Sequence, residues 1–235
     1  HYTLELSEFV TGQRYDSCLS QIPLNTLFQR KDEVLEAISD IQGTLIVKEY
    51  PTKTASPNTL RTHLEKLKKR NHKIDMILVD YADLLRPCTH FKEKRNELES
   101  IYESLRALAQ EYKCPVWTAS QTNRTGLNAE VVTMESISEA FNKCFVSDFI
   151  CSISRTIKDR NANTARLFIA KNRNGPDGLV FPMFMDTSNV QLKVLAPVDT
   201  PTVNPMMSPQ EMANTLKEKY KIFRKTNKET THGSS

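Results

Sequence analysis

The stretch Ile77-Leu78-Val79-Asp80-Tyr81-Ala82-Asp83 decides how the chain folds. It closes a nearly continuous apolar run that begins at Ile74. A half-wet strand alternates apolar and polar residues; a run without alternation reads as a strand buried on both faces of a parallel sheet. An Asp at the carboxyl end of such a strand lies where open α/β sheets bind their ligands. In nucleotide hydrolases a carboxylate there holds Mg2+ opposite the phosphates. Taken alone, Asp80 is better read as a strand-ending residue that caps the next turn.

Upstream, Thr3–Leu6 reads as the end of a strand. Ser7 then caps a helix over Glu8–Leu19 whose Phe9, Val10, Tyr15 and Leu19 share a face. A second helix is predicted over Lys31–Ile41 and a strand over Thr44–Tyr50, between Gly43 and Pro51. Ser56-Pro57 starts a third helix, with Leu60, Leu64 and Leu67 on one side and a basic outer face. Downstream, Lys94–Tyr112 is a long helix with Leu98, Ile101, Leu105 and Leu108 inward. Pro115–Ser120 is another buried strand, and residues 122–147 are a long loop with a short helix. Phe149–Ser154, Ala165–Ala170, Leu179–Met185 and Val190–Val194 are four strands spaced too closely for helices between them, hence antiparallel or mixed. The expectation is an α/β fold: a mainly parallel sheet flanked by helices, extended by antiparallel strands on the C-terminal side. Residues 1–195 form the domain. Residues 196–235 are a linker and tail, with four of the eleven prolines between 197 and 209.

Composition narrows the classes. The chain has 235 residues, 39% hydrophobic and 26% charged, which suits a globular domain with an irregular tail. No apolar stretch approaches the roughly 18–20 residues of a membrane span. The five cysteines form no Cys-x-x-Cys pair and are odd in number, so a disulfide framework or zinc finger is not expected and a reducing compartment, the cytoplasm, is. The net charge of +4 is concentrated in residues 211–229, with six Lys/Arg against three Glu. A basic tail suits nucleic acid, and it equally suits a solvated, disordered end.

Three further clusters fall at predicted strand ends. Ala119-Ser120-Gln121-Thr122-Asn123-Arg124 follows the strand after Asp80, so a Gln there can sense a phosphate or orient water; loop polarity accounts for it as simply. Lys171-Asn172-Arg173-Asn174-Gly175-Pro176 places two cations two residues apart at a strand end, on the same side. Arg suits a bidentate clamp on phosphate oxygens; a turn with solvated charges is the plain alternative. In Tyr2-Thr3-Leu4-Glu5-Leu6-Ser7-Glu8, Glu5 ends a strand and could polarise an attacking water, or serve the helix cap that follows.

Together, and in this order, YTLELSE, Arg14, ILVDYADLL, WTASQTNR and AKNRNGPDG resemble the C-terminal motor domain of DnaB-like replicative DNA helicases, over roughly residues 1–195. The Lys48–Lys53 segment, Asn58–Arg61 and DYADLLRP look closest to the phage branches of that family. The resemblance implies a RecA-like fold that binds ATP and Mg2+, works as a homo-hexamer on single-stranded DNA, and meets a primase and a helicase loader. It makes Glu5 the glutamate that activates water and Asp80 the Mg2+ residue. Gln121 becomes the link between the γ-phosphate and the DNA loops. Lys171 and Arg173 become the basic pair inserted into the neighbouring subunit's site, with Arg173 as arginine finger. Arg14 matches an arginine near the nucleotide. DNA contacts are implied for Arg86–Arg95 and for residues 122–147, with Arg124, Asn128 and Lys143 as candidates.

The sequence departs from the family in one respect: it contains no Gly-x4-Gly-Lys-[Ser/Thr] run, the loop whose backbone cradles phosphates. In the family that loop lies one strand and one helix before the Glu5 segment, and this chain opens at that segment, on His1. The expectation is therefore a piece of a longer protein, with the first strand and phosphate loop upstream, that by itself hydrolyses little ATP. Two alternatives stay open: another RecA-fold ATPase of the recombinase kind, or a non-catalytic DNA- or partner-binding paralogue. The tail, at 208–228, is a candidate amphipathic helix for a primase, polymerase or loader, with Met206, Met207, Met212, Leu216 and Tyr220 as its apolar side.

Overall fold

The computed structural model describes residues 1–122, 131–133 and 142–195. Its elements run β1 (Tyr2–Thr3), α1 (Glu8–Ser20), α2 (Lys31–Ser39), β2 (Lys48–Glu49), α3 (Pro57–Lys69), β3 (Ile77–Asp80), α4 (Lys94–Tyr112), β4 (Val116–Thr118), α5 (Asn142–Val146), β5 (Phe149–Ser154), α6 (Ile157–Asn161), β6 (Thr164–Asn172), β7 (Val180–Asp186) and β8 (Gln191–Val194). The ladders form two four-stranded sheets, β2-β1-β3-β4 and β5-β6-β7-β8. The chain divides into two compact units, one holding most of residues 1–148 and the other most of the later strands.

The first unit is built on a parallel sheet. Tyr2 pairs with both Lys48 and Val79, and Ile77 pairs with Val116. Its core is the apolar face of each flanking helix brought onto β3. Leu60 and Leu64 come from α3, Ile101, Leu105 and Leu108 from α4, and Ile77 and Val79 from the strand itself. Each such side chain, fully buried, stabilises by about 1.5–3 kcal/mol. The inward positions expected on α4 are all buried. Helix α3 starts where Ser56-Pro57 requires: the Ser56 hydroxyl accepts from Thr59 N–H, and Thr59 Oγ1 accepts from Ser56 N–H, with Pro57 at the first helical position.

Three expectations in this unit change. The face proposed for α1 is not buried: Phe9 and Leu19 are exposed, and Phe9 stacks on exposed Phe28. Helix α1 buries the small Thr11 and Ser17 instead, and Ser17 Oγ donates to Ile22 O at 2.7 Å. The strand expected over Thr44–Tyr50 shrinks to two residues, because β1 is equally short. Thr3 Oγ1 donates to Leu6 O and accepts from Leu6 N–H, folding the chain just past the strand. Strand β4 is not buried on both faces, since Trp117 is 44% exposed. It ends the strand order, with only β3 beside it among the described residues.

In the second unit, β5–β6 and β6–β7 are antiparallel, as the short connections require. The β5–β6 connection nevertheless holds the five-residue helix α6, against the expectation of strands alone. Thr156 and Asp159 form a reciprocal cap that nucleates it. Arg166 on β6 then reaches back to Asp159 with two guanidinium bonds, at 2.9 and 3.3 Å.

Candidate functional site

In a parallel sheet the carboxyl ends of neighbouring strands emerge on one edge. Here β1, β3 and β4 lie side by side, so the segments after Thr3, Val79 and Thr118 leave the sheet together. Their pairing fixes the heights. Thr3 stands opposite Asp80, and Leu4 N–H donates to Asp80 O at 2.8 Å. Thr118 ties β4 to the turn after β3: its Oγ1 donates to Val79 O at 2.8 Å and accepts from Ala82 N–H at 2.9 Å.

Tyr81 stands in the turn at this edge. Gln121 Nε2 donates to Tyr81 Oη at 2.9 Å. Burial, and then the charges of Glu5, Asp83 and Asp80, push the Tyr81 phenol above its ordinary pKa. Tyr15 on α1 is raised as well, by burial and then by Cys18 and Asp80, and its hydroxyl meets His1 Nδ1 at 3.0 Å. Glu5 is exposed just past β1, and Asp80 is half-buried. Glu8, by contrast, is committed to structure. It accepts from Glu49 N–H and from Lys48 Nζ, each at 2.9 Å, and these bonds hold its carboxyl below the usual range. Arg14 is exposed on α1, one residue before Tyr15.

Asp83 forms a second polar cluster. Asp83 Oδ2 accepts from Lys143 Nζ at 2.6 Å and from Ser120 Oγ at 3.3 Å, while Oδ1 accepts from Tyr102 Oη at 2.9 Å. Lys143 also donates to Ser120 Oγ at 2.9 Å and sits over the Tyr102 ring. Burial, and then Asp83, push the Tyr102 phenol well up. The Lys143 side chain is only 3% exposed. The ammonium, expected as a DNA contact, is here turned into the protein, where a carboxylate neutralises it. Arg124 and Asn128 lie outside the described residues. In the other expected DNA stretch, every residue from Cys88 to Asn96 is exposed.

Lys171 and Arg173 belong to the second unit. Lys171 is half-buried near the end of β6, and Arg173 is exposed one residue beyond that strand. Asn172 organises the turn between β6 and β7. Its Oδ1 accepts from Asn174 N–H and its Nδ2 donates to Pro176 O, both at 3.3 Å. A Cβ on Gly175 would stand 2.7 Å from Asn172 Nδ2, so a larger residue there would displace that amide from its bond to Pro176 O.

Sequence reasoning passes over Tyr81, Tyr15, Asp83 and Tyr102. Two of them stand in the strand motif itself, where a phenol and a second carboxylate directly after Asp80 are the available signal. Among the described residues no three His, Cys, Asp or Glu side chains are grouped to hold a metal. A hollow of about 370 Å3 lined by Tyr50, Ser56, Asn58, Thr59, Thr62 and His63 contains none of the residues above. No helix among the described residues is long and apolar enough to cross a membrane.

Comparison with known proteins bears on this arrangement. The family model of the DnaB-like helicase C terminal domain matches residues 2–190. A DnaB-like replicative helicase of Enterobacteria phage T4 is 29% identical over 188 residues, covering 74% of this chain and 39% of that protein. The replicative DNA helicase DnaB of Haemophilus influenzae is 30% identical over 137 residues, 53% of this chain and 28% of that protein. The chain thus spans about two-fifths or less of these curated relatives. Among solved structures, an ATPase domain matches with a TM-score of 0.70 at 19% identity, over 83% of this chain and 73% of its own. A DnaB-like replicative helicase, described with its interactions with primase, matches with a TM-score of 0.69 at 17% identity, over 81% of this chain and 50% of its own. The fold is the RecA-like ATPase fold.

Proposed function

The chain belongs to the DnaB-like helicase C-terminal domain family, and on that premise we propose that it is part of a hexameric replicative helicase coupling Mg-ATP hydrolysis to movement along single-stranded DNA and duplex unwinding. The observation that supports the reading is that Glu5, Asp80 and Gln121 lie at or just past the carboxyl ends of the neighbouring parallel strands β1, β3 and β4, with Gln121 bonded to Tyr81 in the turn after β3. Glu5, exposed at a strand end, takes a proton from the attacking water. Asp80 offers Mg2+ one carboxylate. That suffices for an ion that keeps several waters and shares the phosphates, and it fits a site without a ready-made cage of ligands. An ion held by Asp80 would supply positive charge to the phosphate oxygens. Gln121, already donating through Nε2, reports the terminal phosphate to the segments beyond β4.

Lys171 and Arg173 act on the site of the neighbouring subunit, and Arg14 lies near the nucleotide. Residues 86–95, exposed from Cys88 onward, and the stretch 122–147, with Arg124 and Asn128, face DNA, which is followed through phosphates and backbone rather than base sequence. Work of this kind takes place in the cytoplasm, with a primase and a loader as partners.

The test is DNA-stimulated ATPase of the full-length protein. Arg173→Ala and Glu5→Gln are each expected to lose turnover, the former by about 10^3-fold or more. A mixture of the two variants regains activity, because an intact Arg173 from one subunit meets an intact Glu5 in the next. Full turnover by Arg173→Ala sinks the assignment.

A further inference from the structure

The Asp83 cluster plays no part in the chemistry just described, yet Lys143 within it is the most buried charged side chain described in the first unit. Its members come from four places: the turn after β3, helix α4, the end of β4, and α5. Lys143 and Asp83 are sixty positions apart in sequence. A buried ion pair adds little net stability by itself, since desolvating both charges offsets their attraction; an apolar pair of similar volume often does as well. Stability alone is therefore a poor account of why a lysine is brought to this carboxylate.

The connectivity supplies a better one. Ser120 immediately precedes Gln121, and Asp83 lies three residues after Asp80. The stretch 122–147, assigned above to the DNA face, is preceded by Ser120 and carries Lys143 near its far end. Both residues bond Asp83 Oδ2, and they bond each other. Ser120, just before the stretch, and Lys143, within it, thus meet on one carboxylate three residues after the proposed Mg2+ residue. Asp83 cannot swing freely to follow another partner, because Tyr102 holds its second oxygen.

We propose that the Lys143–Asp83–Ser120 cluster is a clamp that positions Gln121 relative to the base of the DNA-facing stretch, so that DNA engagement is felt at the nucleotide. Lys143, Asp83 and Ser120 are positioning residues; none touches substrate. The proposal rests on the helicase-motor reading of the site.

The test again uses full-length protein, and separates charge burial from coupling. Lys143→Met alone leaves the Asp83 carboxylate buried without its cation and is expected to lower thermal stability. Lys143→Met with Asp83→Leu removes both charges, and stability returns. If the cluster were only structural, DNA stimulation of ATPase would return with it. The clamp predicts otherwise: the stable double variant keeps its DNA-independent ATPase but loses DNA stimulation at least about fivefold, the lower end of ordinary coupling between sites. Ser120→Ala, a mild change at an exposed position, is expected to lose part of the stimulation without loss of stability. It serves as the readout should the double variant fold poorly. Lys143→Arg is expected to restore coupling in part. Full DNA stimulation in the stable double variant, or in Ser120→Ala if the double variant folds poorly, overturns the clamp alone. A wild-type protein whose ATPase does not respond to DNA overturns the motor reading, and the clamp with it.

Discussion

The two sheets hold buried charge in opposite ways. In the parallel sheet, Lys143 reaches Asp83 across sixty positions, and the pair joins segments that lie far apart in the sequence. In the antiparallel sheet, Arg166 reaches Asp159 across seven, and the pair closes a loop onto the strand that follows it. The same contrast runs through the pairing. Tyr2 meets Val79 in the first sheet, whereas β5, β6 and β7 meet in chain order in the second. A parallel sheet gathers remote segments at one edge and so can build a site from them. An antiparallel sheet keeps neighbours together and here presents Lys171 and Arg173 near a single turn.

The largest effect should come from breaking the local pair. Arg166→Met leaves Asp159 buried beside apolar atoms, at a cost of about 3–5 kcal/mol. Hydrogen exchange should accelerate across β6 and β7 while β3 keeps its protection. The pair also gives the second unit an acid limit. Burial works to raise the Asp159 carboxyl, but the Thr156 bonds and the Arg166 charge outweigh it, and the net pKa is lowered. A carboxylate lowered in the folded state contributes stability that is complete above its unfolded value, about 3.9. That stability is lost as pH falls through the folded value. Protection of β6 should therefore fall off below about pH 4 in the wild type, and Asp159→Asn should flatten that slope while lowering stability at neutral pH.

Leu108→Ala is the counterpart in the first unit. Leu108 is fully buried in the core behind β3, and its truncation should cost about 2–5 kcal/mol. Exchange should rise in α4 and β3 but not in β6. Should either substitution release both sheets together, the contrast between them would concern topology only and not stability.

The parts of this architecture that are legible in the sequence are those set by local pattern. Leucine spacing gives helix α4 to the residue, and Ser56-Pro57 announces α3. The apolar run before Asp80 gives β3, and with it the sheet edge that Asp80 ends. What escapes depends on long-range partners. Nothing near Lys143 distinguishes an ammonium bound for solvent from one turned onto Asp83. Trp117 reads as core, because periodicity cannot tell an inner strand from the last one in the order. Phe9 and Leu19 share a helical face on α1, but Thr11 and Ser17 occupy the side that packs. Helix α6 escapes although Thr156-x-x-Asp159 is a visible cap, because close strand spacing outweighs capping chemistry when only the sequence is read.

The smallest effect compares the two caps. Ser56 and Thr59 satisfy each other's backbone N–H. Removing the Ser56 hydroxyl should cost about 1 kcal/mol, and the same amount in an Arg166→Met background, since the two sites share no partner. Thr156 caps α6 in the same pattern, but its partner is Asp159, which also receives Arg166. Thr156→Ala therefore loosens a carboxylate that the guanidinium needs in place. Its cost with Arg166 present should differ from its cost in the Arg166→Met background by about 0.5–3 kcal/mol, as read by denaturant melts of the four proteins in that cycle. Equal costs would mean that the cap and the ion pair act independently, and that the second sheet holds its buried charge no more locally than the first.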